Sequence, residues 1–219
     1  VFLRILTAAA VLLGGVWGTD AAAAQPRNPL RPAWVGTEVT NVGQYREGDD
    51  PAAFMFDPLV VNRIDLTVPY DSIRYMNEHA SGAFPGSHGD YQPASMTFTR
   101  VDPNDPTKTT TTDSMNIGIR LKGGWGSARD MNGKAAFKLK MNYSVKGQTL
   151  FGLKKLTLNN MVQDRSMVHE AVGYRLFREV GVPASRTGYA QVFVNGVDYG
   201  LHLNLETYDS VSMLSLIHI

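Results

Sequence analysis

The 219-residue chain contains no cysteine. This absence excludes disulfide bonds, thiolate metal sites and a cysteine nucleophile. A strong overall charge is absent as well, because 21 basic and 20 acidic side chains leave a formal net charge of +1. The chain must therefore be held together by a buried core, and its length and 43% apolar composition predict one sizeable domain.

The sequence also lacks an apolar run long enough to span a bilayer. Its most apolar stretch, residues 5–16, follows Arg4 and precedes four alanines at 21–24. A basic start, a short apolar centre and small residues at the end are typical of a secretory signal peptide. We predict that residues 1–24 are such a peptide. The mature protein is then secreted or held at the cell surface, with no stable membrane span.

The mature part begins with residues 25–53, which are rich in Pro, Gly, Asn and Asp and predict an irregular lead-in. We assign residues 54–213 to the domain itself. Alternating apolar residues predict strands near 60–68 and 94–101, and a short helix is predicted near 71–79. Towards the end, Asn195-Gly196 lies between two alternating segments and predicts a hairpin with a type I′ turn.

A second helix is predicted between Asp164 and Gly181. An acceptor side chain can cap its start, while glycine and a following proline suit its end. Four apolar residues recur at every fourth position and predict one buried stripe: Val168, Val172, Leu176 and Val180. Glu170 lies at the edge of that stripe, where its carboxylate can reach inward to a lysine.

Positive charge is concentrated in the centre of the chain. Between Gly118 and Lys155, nine Lys and Arg residues accompany one acid, which is a local net charge of +8. The stretch predicts a strand, a glycine-rich loop and a second strand. The loop contains Gly123, Gly124, Gly126 and Ser127. Glycines allow backbone amides to approach a ligand closely, so the sequence predicts an anionic ligand here.

Lys138 and Lys140 alternate with apolar residues on the second of these strands and therefore share one face. Each feature also has a plainer interpretation. A GGWG loop is often only a tight turn, and two strand lysines often form a solvated face. Glu170 alone is an ordinary acid of a first helical turn, where the helix dipole favours it.

Five segments, taken in order and spacing, resemble the CotH kinase family over residues 115–209. They are GIRLKGGWGS, KAAFKLKM, LFGLKKLTLNN, DRSMVHEAVGYRLFREVGVPASRTGYA and VFVNGVDYGLHLNLE. The resemblance implies an α+β, atypical protein-kinase-like fold. In that fold an antiparallel sheet carries the glycine-loop hairpin, one main helix and the Asn-Gly hairpin.

The resemblance further implies an exported kinase that binds ATP and Mg²⁺ and phosphorylates Ser or Thr of secreted or coat proteins. A kinase needs a glycine-rich loop over the phosphates, a lysine on them and a glutamate that holds this lysine. The resemblance implies the loop named above, Lys140 with Lys138 as second choice, and Glu170. The alternative is a catalytically silent module for surface adhesion or for coat or wall assembly. We expect no nucleic-acid partner, because the basic stretch lacks regularly interleaved aromatics.

In the CotH kinase family the catalytic and metal-binding acids lie beyond the hairpin, near a Trp-Asp-x-Asp type motif. This sequence has no such motif, so we assign no catalytic residue and no metal ligand. Residues 214–219, LSLIHI, match the in-frame translation of a transposase adapter used in DNA libraries. We therefore expect a fragment truncated before the C-terminal lobe, with a non-native tail and no activity of its own.

Overall fold

A computed structural model describes residues 50–80 and 88–208. The predicted signal peptide, the lead-in up to residue 49 and the 214–219 tail lie outside these residues. Neither helix in the described part has the length and apolar character needed to cross a bilayer. The elements, after a 3₁₀ turn at Ala53–Phe56, are β1 (Val61–Thr67), α1 (Tyr70–Glu78), β2 (Gln92–Val101), β3 (Thr109–Thr111), β4 (Met115–Lys122), β5 (Ala136–Lys140), β6 (Lys155–Asn159), α2 (His169–Glu179), β7 (Thr187–Val194) and β8 (Val197–Glu206).

The strands form one sheet that closes on itself. Neighbouring strands follow the order β1-β7-β8-β6-β5-β4-β2-β3, and β1 also pairs with β2. Seven strands thus form a closed barrel, to which β3 is added beside β2. The expected α+β, kinase-like fold with an antiparallel sheet and one main helix is wrong, since the described chain is mostly a closed sheet and has only two helices.

The physical reason is the pairing of strands that are distant in sequence. Ile64 of β1 lies opposite Phe98 of β2 on one side and Val192 of β7 on the other. The pairing of β1 with β7 is parallel, while the other pairings between these strands are antiparallel. Alternation along a strand predicts which residues point inward, but it does not predict which strand lies alongside.

The Asn-Gly hairpin between β7 and β8 is confirmed. Asn195 and Gly196 have φ values of 51° and 81°, as a turn with two left-handed residues requires. The Asn195 side chain also joins the turn to the end of β1: its amide nitrogen donates to Val68 O at 2.9 Å, and its oxygen accepts from Val68 N at 2.8 Å. The turn therefore helps to hold β1 beside β7.

The barrel interior is filled by the apolar residues of alternating positions. Fully buried examples from six strands are Ile64, Phe98, Ile119, Phe137, Leu139, Leu158 and Val192. Their sequence neighbours point outward, so a polar face covers the outside of β4, β5 and β6. Burial of this cluster supplies the main stabilisation of a chain that has no disulfide.

The predicted buried stripe of α2 is wrong. Val172, Leu176 and Val180 are 59%, 61% and 65% exposed, and Val168 is also exposed. The helix instead packs its other side, with Ala171 and Tyr174, on the outer face of β8. α2 has apolar side chains on two of its faces. Only the face that meets Leu203 and Leu205 contacts the barrel.

An ion cluster ties the start of the described chain to the barrel. The Arg186 guanidinium donates to both carboxylate oxygens of Glu206, at 2.7 and 2.8 Å, and also to Asp50. The Phe56 ring lies 4.6 Å from the guanidinium carbon. Arg186 is only 6% exposed, so its two carboxylate partners are what makes its burial tolerable.

We expect Arg186→Ala to lower the free energy of unfolding by about 3–5 kcal/mol, because it leaves two largely buried carboxylates without their cation. The measurement is urea denaturation followed by circular dichroism. The matched control is Arg74→Ala, which removes an exposed ion pair with Asp71 and should cost less than about 1 kcal/mol. Equal losses for the two variants would contradict this account of the cluster.

Two glycine substitutions should act in opposite directions. A Cβ at Gly173 in α2 would meet nothing within 4 Å, so Gly173→Ala should stabilise by about 0.5–1 kcal/mol. A Cβ at Gly188 in β7 would collide with the backbone of Met55 and lie 2.9 Å from Phe56 Cα. Gly188→Ala should therefore destabilise by about 1–3 kcal/mol in the same urea titration. A stable Gly188→Ala protein would refute this packing.

Candidate functional site

The glycine-rich loop begins where β4 ends, at Lys122. Gly123, Trp125 and Gly126 have φ values of 125°, 46° and 89°. A Cβ at Gly123 would lie 3.1 Å from the backbone of Ala128. A larger residue would therefore be strained both by this contact and by the positive φ. Ser127 closes the turn by donating from its backbone nitrogen and its hydroxyl to the Gly124 carbonyl, at 2.9 and 2.8 Å.

Three side chains from two other segments hold this loop. His88 Nε2 lies 2.6 Å from the Gly123 oxygen, and Gln163 donates to the Trp125 oxygen at 2.7 Å. Asn160 donates to the carbonyl oxygens of Ser127 and Lys134, both at 2.9 Å. The loop is therefore fixed at its start, its tip and its end.

A cleft lies between this loop, the end of β6 and the start of α2. Its volume is about 180 Å³, which is smaller than the range of about 300–1,000 Å³ that is usual for sites holding a whole small molecule. The polar groups that line it are Lys122, Ser127, Asn159, Asn160, Gln163, Asp164 and Glu170.

A chain of two hydrogen bonds crosses the cleft. The Lys122 ammonium donates to the Asn159 side-chain oxygen, and the Asn159 nitrogen donates to Glu170 Oε1. Lys122 and Asn159 both point outward because the preceding residues, Leu121 and Leu158, are buried inside the barrel. The amide thus links the cation of β4 to the carboxylate of α2.

The electrostatic setting of Lys122 favours an anionic ligand. Burial lowers the pKa of the Lys122 ammonium, the nearby Glu170 charge raises this pKa, and the Lys138 charge lowers it again. Burial thus dominates, so the ammonium lacks part of the stabilisation that water would supply. A bound phosphate or carboxylate would restore it.

The structure brings together only some of the residues predicted for the site. Gly123, Ser127 and Glu170 line the cleft. Gly124 and Gly126 belong to the same loop but do not line it.

The two predicted lysines lie further along the outer face. Lys138 is opposite Arg120, and the Lys140 ammonium lies 5.8 Å from the centre of the Tyr91 ring. It is Lys122 that reaches Glu170, and it does so through Asn159. Alternation places all three lysines outward, so only the position of Lys122 next to the glycine loop could have distinguished it in the sequence.

Lys122, Asn159 and Asn160 were not among the residues predicted for the site. The signal for the asparagines was weak: two adjacent amides at the end of a predicted strand. Their importance comes from the fold, because the end of β6 lies beside both the loop and α2. His88, which was also not predicted, contacts the loop as well.

The described residues fit phosphates better than they fit a divalent cation. They contain no group of three or more His, Asp or Glu side chains placed to hold a metal. Of the two carboxylates that line the cleft, Glu170 accepts from Asn159. Asp164 is engaged at the start of α2: hydrogen bonds, first of all from the Ser166 hydroxyl, lower its pKa, and it accepts from His169 N at 2.9 Å.

Comparison with known proteins agrees with the sequence resemblance. Residues 119–215 match the family model described as "CotH kinase protein". The chain is also 30% identical over 80 residues to the "Inner spore coat protein H-like protein" of Bacillus subtilis (strain 168). That match covers 36% of this chain and 24% of the relative, so the chain spans about a quarter of the relative's length. Over residues 119–215, the chain is thus similar to the CotH kinase protein family.

Proposed function

We propose that the cleft binds the phosphates of ATP and that the domain is the nucleotide-binding part of an exported, kinase-like protein. The observation that carries this proposal is Lys122, a partly buried cation at the start of the glycine loop, joined through Asn159 to Glu170. The family description supports the kinase class. The relative's name, a spore coat protein, supports a coat protein as the acceptor.

In this proposal, the Lys122 ammonium holds a phosphate oxygen, while Asn159 and Glu170 orient the ammonium. The loop from Gly123 to Ser127 contributes backbone amides, which are suited to phosphate oxygens. Mg²⁺, when bound, would neutralise charge on the phosphates. The described residues do not offer it a ligand set, so phosphate transfer needs acids from outside these residues.

The first prediction separates Lys122 from the two lysines favoured by sequence. Lys122→Ala should weaken ATP binding about 10- to 100-fold, because one charge-assisted contact of about 1.5–3 kcal/mol is lost. Lys140→Ala, the matched control, should change the affinity less than about threefold. Isothermal titration calorimetry with the whole chain measures both. An unchanged affinity in Lys122→Ala would end this assignment, and a larger loss in Lys140→Ala would move the phosphates to β5.

The second prediction concerns pH. Because burial lowers the pKa of Lys122 below the ordinary 10.5, ATP affinity should decline as pH rises, beginning at a lower pH than for a solvated lysine. Lys122→Arg keeps its charge throughout, since the guanidinium pKa exceeds 12. The ATP affinity of this variant should therefore change less with pH over the same alkaline range, as measured by the same calorimetry. Parallel profiles for the two proteins would show that another group controls binding.

A second candidate function is a catalytically silent module for coat or surface assembly. The exposed apolar stripe of α2, with Val172, Leu176 and Val180, favours this alternative, because large exposed apolar patches often mark protein contacts. The two candidates differ in one measurement. A chain that binds no ATP, with or without Mg²⁺, but retains a stable fold would support the assembly module.

A further inference from the structure

Four cationic side chains share the outer face of β4, β5 and β6, next to the cleft. Arg120 pairs in register with Lys138, and Lys140 pairs with Lys155. Adjacent strands are about 4.8 Å apart and alternate residues of a strand about 6.8 Å apart, so the four groups form a compact grid. Their orientation is fixed, because the alternating Ile119, Leu139 and Leu156 are fully buried.

The charges of this grid are not balanced by carboxylates. In residues 50–80 and 88–208, the ion pairs involve Arg63, Arg74, Lys108, His169, Arg175 and Arg186, and none of the four grid residues. Burial, followed by the charges of Arg120 and Lys155, lowers the pKa of Lys138. The grid residues therefore repel one another, and an anion would relieve that repulsion.

Arg120 is the most specific member of the grid. Its guanidinium lies over the Tyr91 ring, with 4.9 Å between the guanidinium carbon and the ring centre. Its Nε is buried and has no hydrogen-bond partner among the described residues. The terminal nitrogens of a planar guanidinium are suited to a carboxylate or phosphate that can accept two hydrogen bonds.

We propose that this face docks an extended acidic segment of the protein acceptor, with Glu or Asp at every second residue. The inference rests on the proposed kinase-like function and names the class of its acceptor. In an extended peptide, side chains on one face recur every 6.6–6.8 Å, which is also the spacing from Lys138 to Lys140. Two successive acids can therefore contact two lysines of one strand while the peptide runs beside it.

Single-stranded nucleic acid fits this face less well, because its binding depends on aromatic side chains on which the bases stack. The nearby Tyr91 ring already contacts Arg120 and Lys140 and is not presented for base stacking. An acidic peptide satisfies the charges without needing a stacking platform, and the grid is close enough to the cleft for Lys138 to influence Lys122.

The test is fluorescence anisotropy with the whole chain and a short labelled peptide in which Glu alternates with Thr. Lys138→Gln/Lys140→Gln should weaken binding at least about tenfold, since two charge-assisted contacts are lost. The matched control, Arg74→Gln/Lys108→Gln, removes the same charge at exposed sites away from the grid and should retain the affinity within about twofold. A peptide with Gln in place of Glu should not bind.

Several outcomes would overturn the proposal. These are no binding of the Glu peptide, equal losses in the two double variants, tighter binding of a single-stranded oligonucleotide than of the peptide, and displacement of the peptide by ATP. Displacement would assign the face to the nucleotide itself. Lys122→Ala keeps the two proposals separate: loss of ATP binding with peptide binding intact supports both. Intact ATP binding in Lys122→Ala would refute only the nucleotide site.

Discussion

The structure depends on the position of β1, which pairs with β2 on one side and with β7 on the other. This double pairing turns a row of antiparallel strands into a closed ring and removes the edges that an open sheet would expose. It also gives the chain an enclosed interior. Once that interior is filled with apolar side chains, every alternate residue must face outward, and the outward positions become available for binding.

The outward positions of β4, β5 and β6 then acquire their functions from what lies beside them. At the loop end, Lys122 and Asn159 meet Glu170, because α2 packs on the outside of the neighbouring β8. Further along the strands no helix covers the sheet face, and the cations there have no acidic partner among the described residues. The cleft and the cationic grid are thus two parts of one outer face.

Local features of the fold could be predicted from the sequence. Alternation identified β1 and β5, the Asn195-Gly196 pair identified the last hairpin, and the positive-φ loop after Lys122 followed from its glycines. Closure could not be predicted, because it depends on pairing between residues far apart in the chain. The stripe on α2 was misjudged for a related reason: the helix has two apolar faces, and only its tertiary neighbours decide which is buried.

The candidate site, too, could be predicted from the sequence only in part. Gly123, Ser127 and Glu170 were recognisable as types of residue suited to phosphate, and the fold places them around one cleft. Alternation could not decide which lysine belongs to the cleft, since Lys122, Lys138 and Lys140 all occupy outward positions. Cross-strand register brings Lys122 near the helix acid, and an asparagine that looked unremarkable in sequence completes the connection.

The anchoring of the glycine-rich loop by His88, Gln163 and Asn160 affects how a ligand can bind. Much of the ordering that a mobile loop would undergo on association is already complete, so little conformational entropy remains to be lost. Entry and exit then require these three anchors to loosen or the ligand to pass beside them. Preorganisation of this kind predicts that variation in affinity among ligands will appear mainly in their dissociation rates.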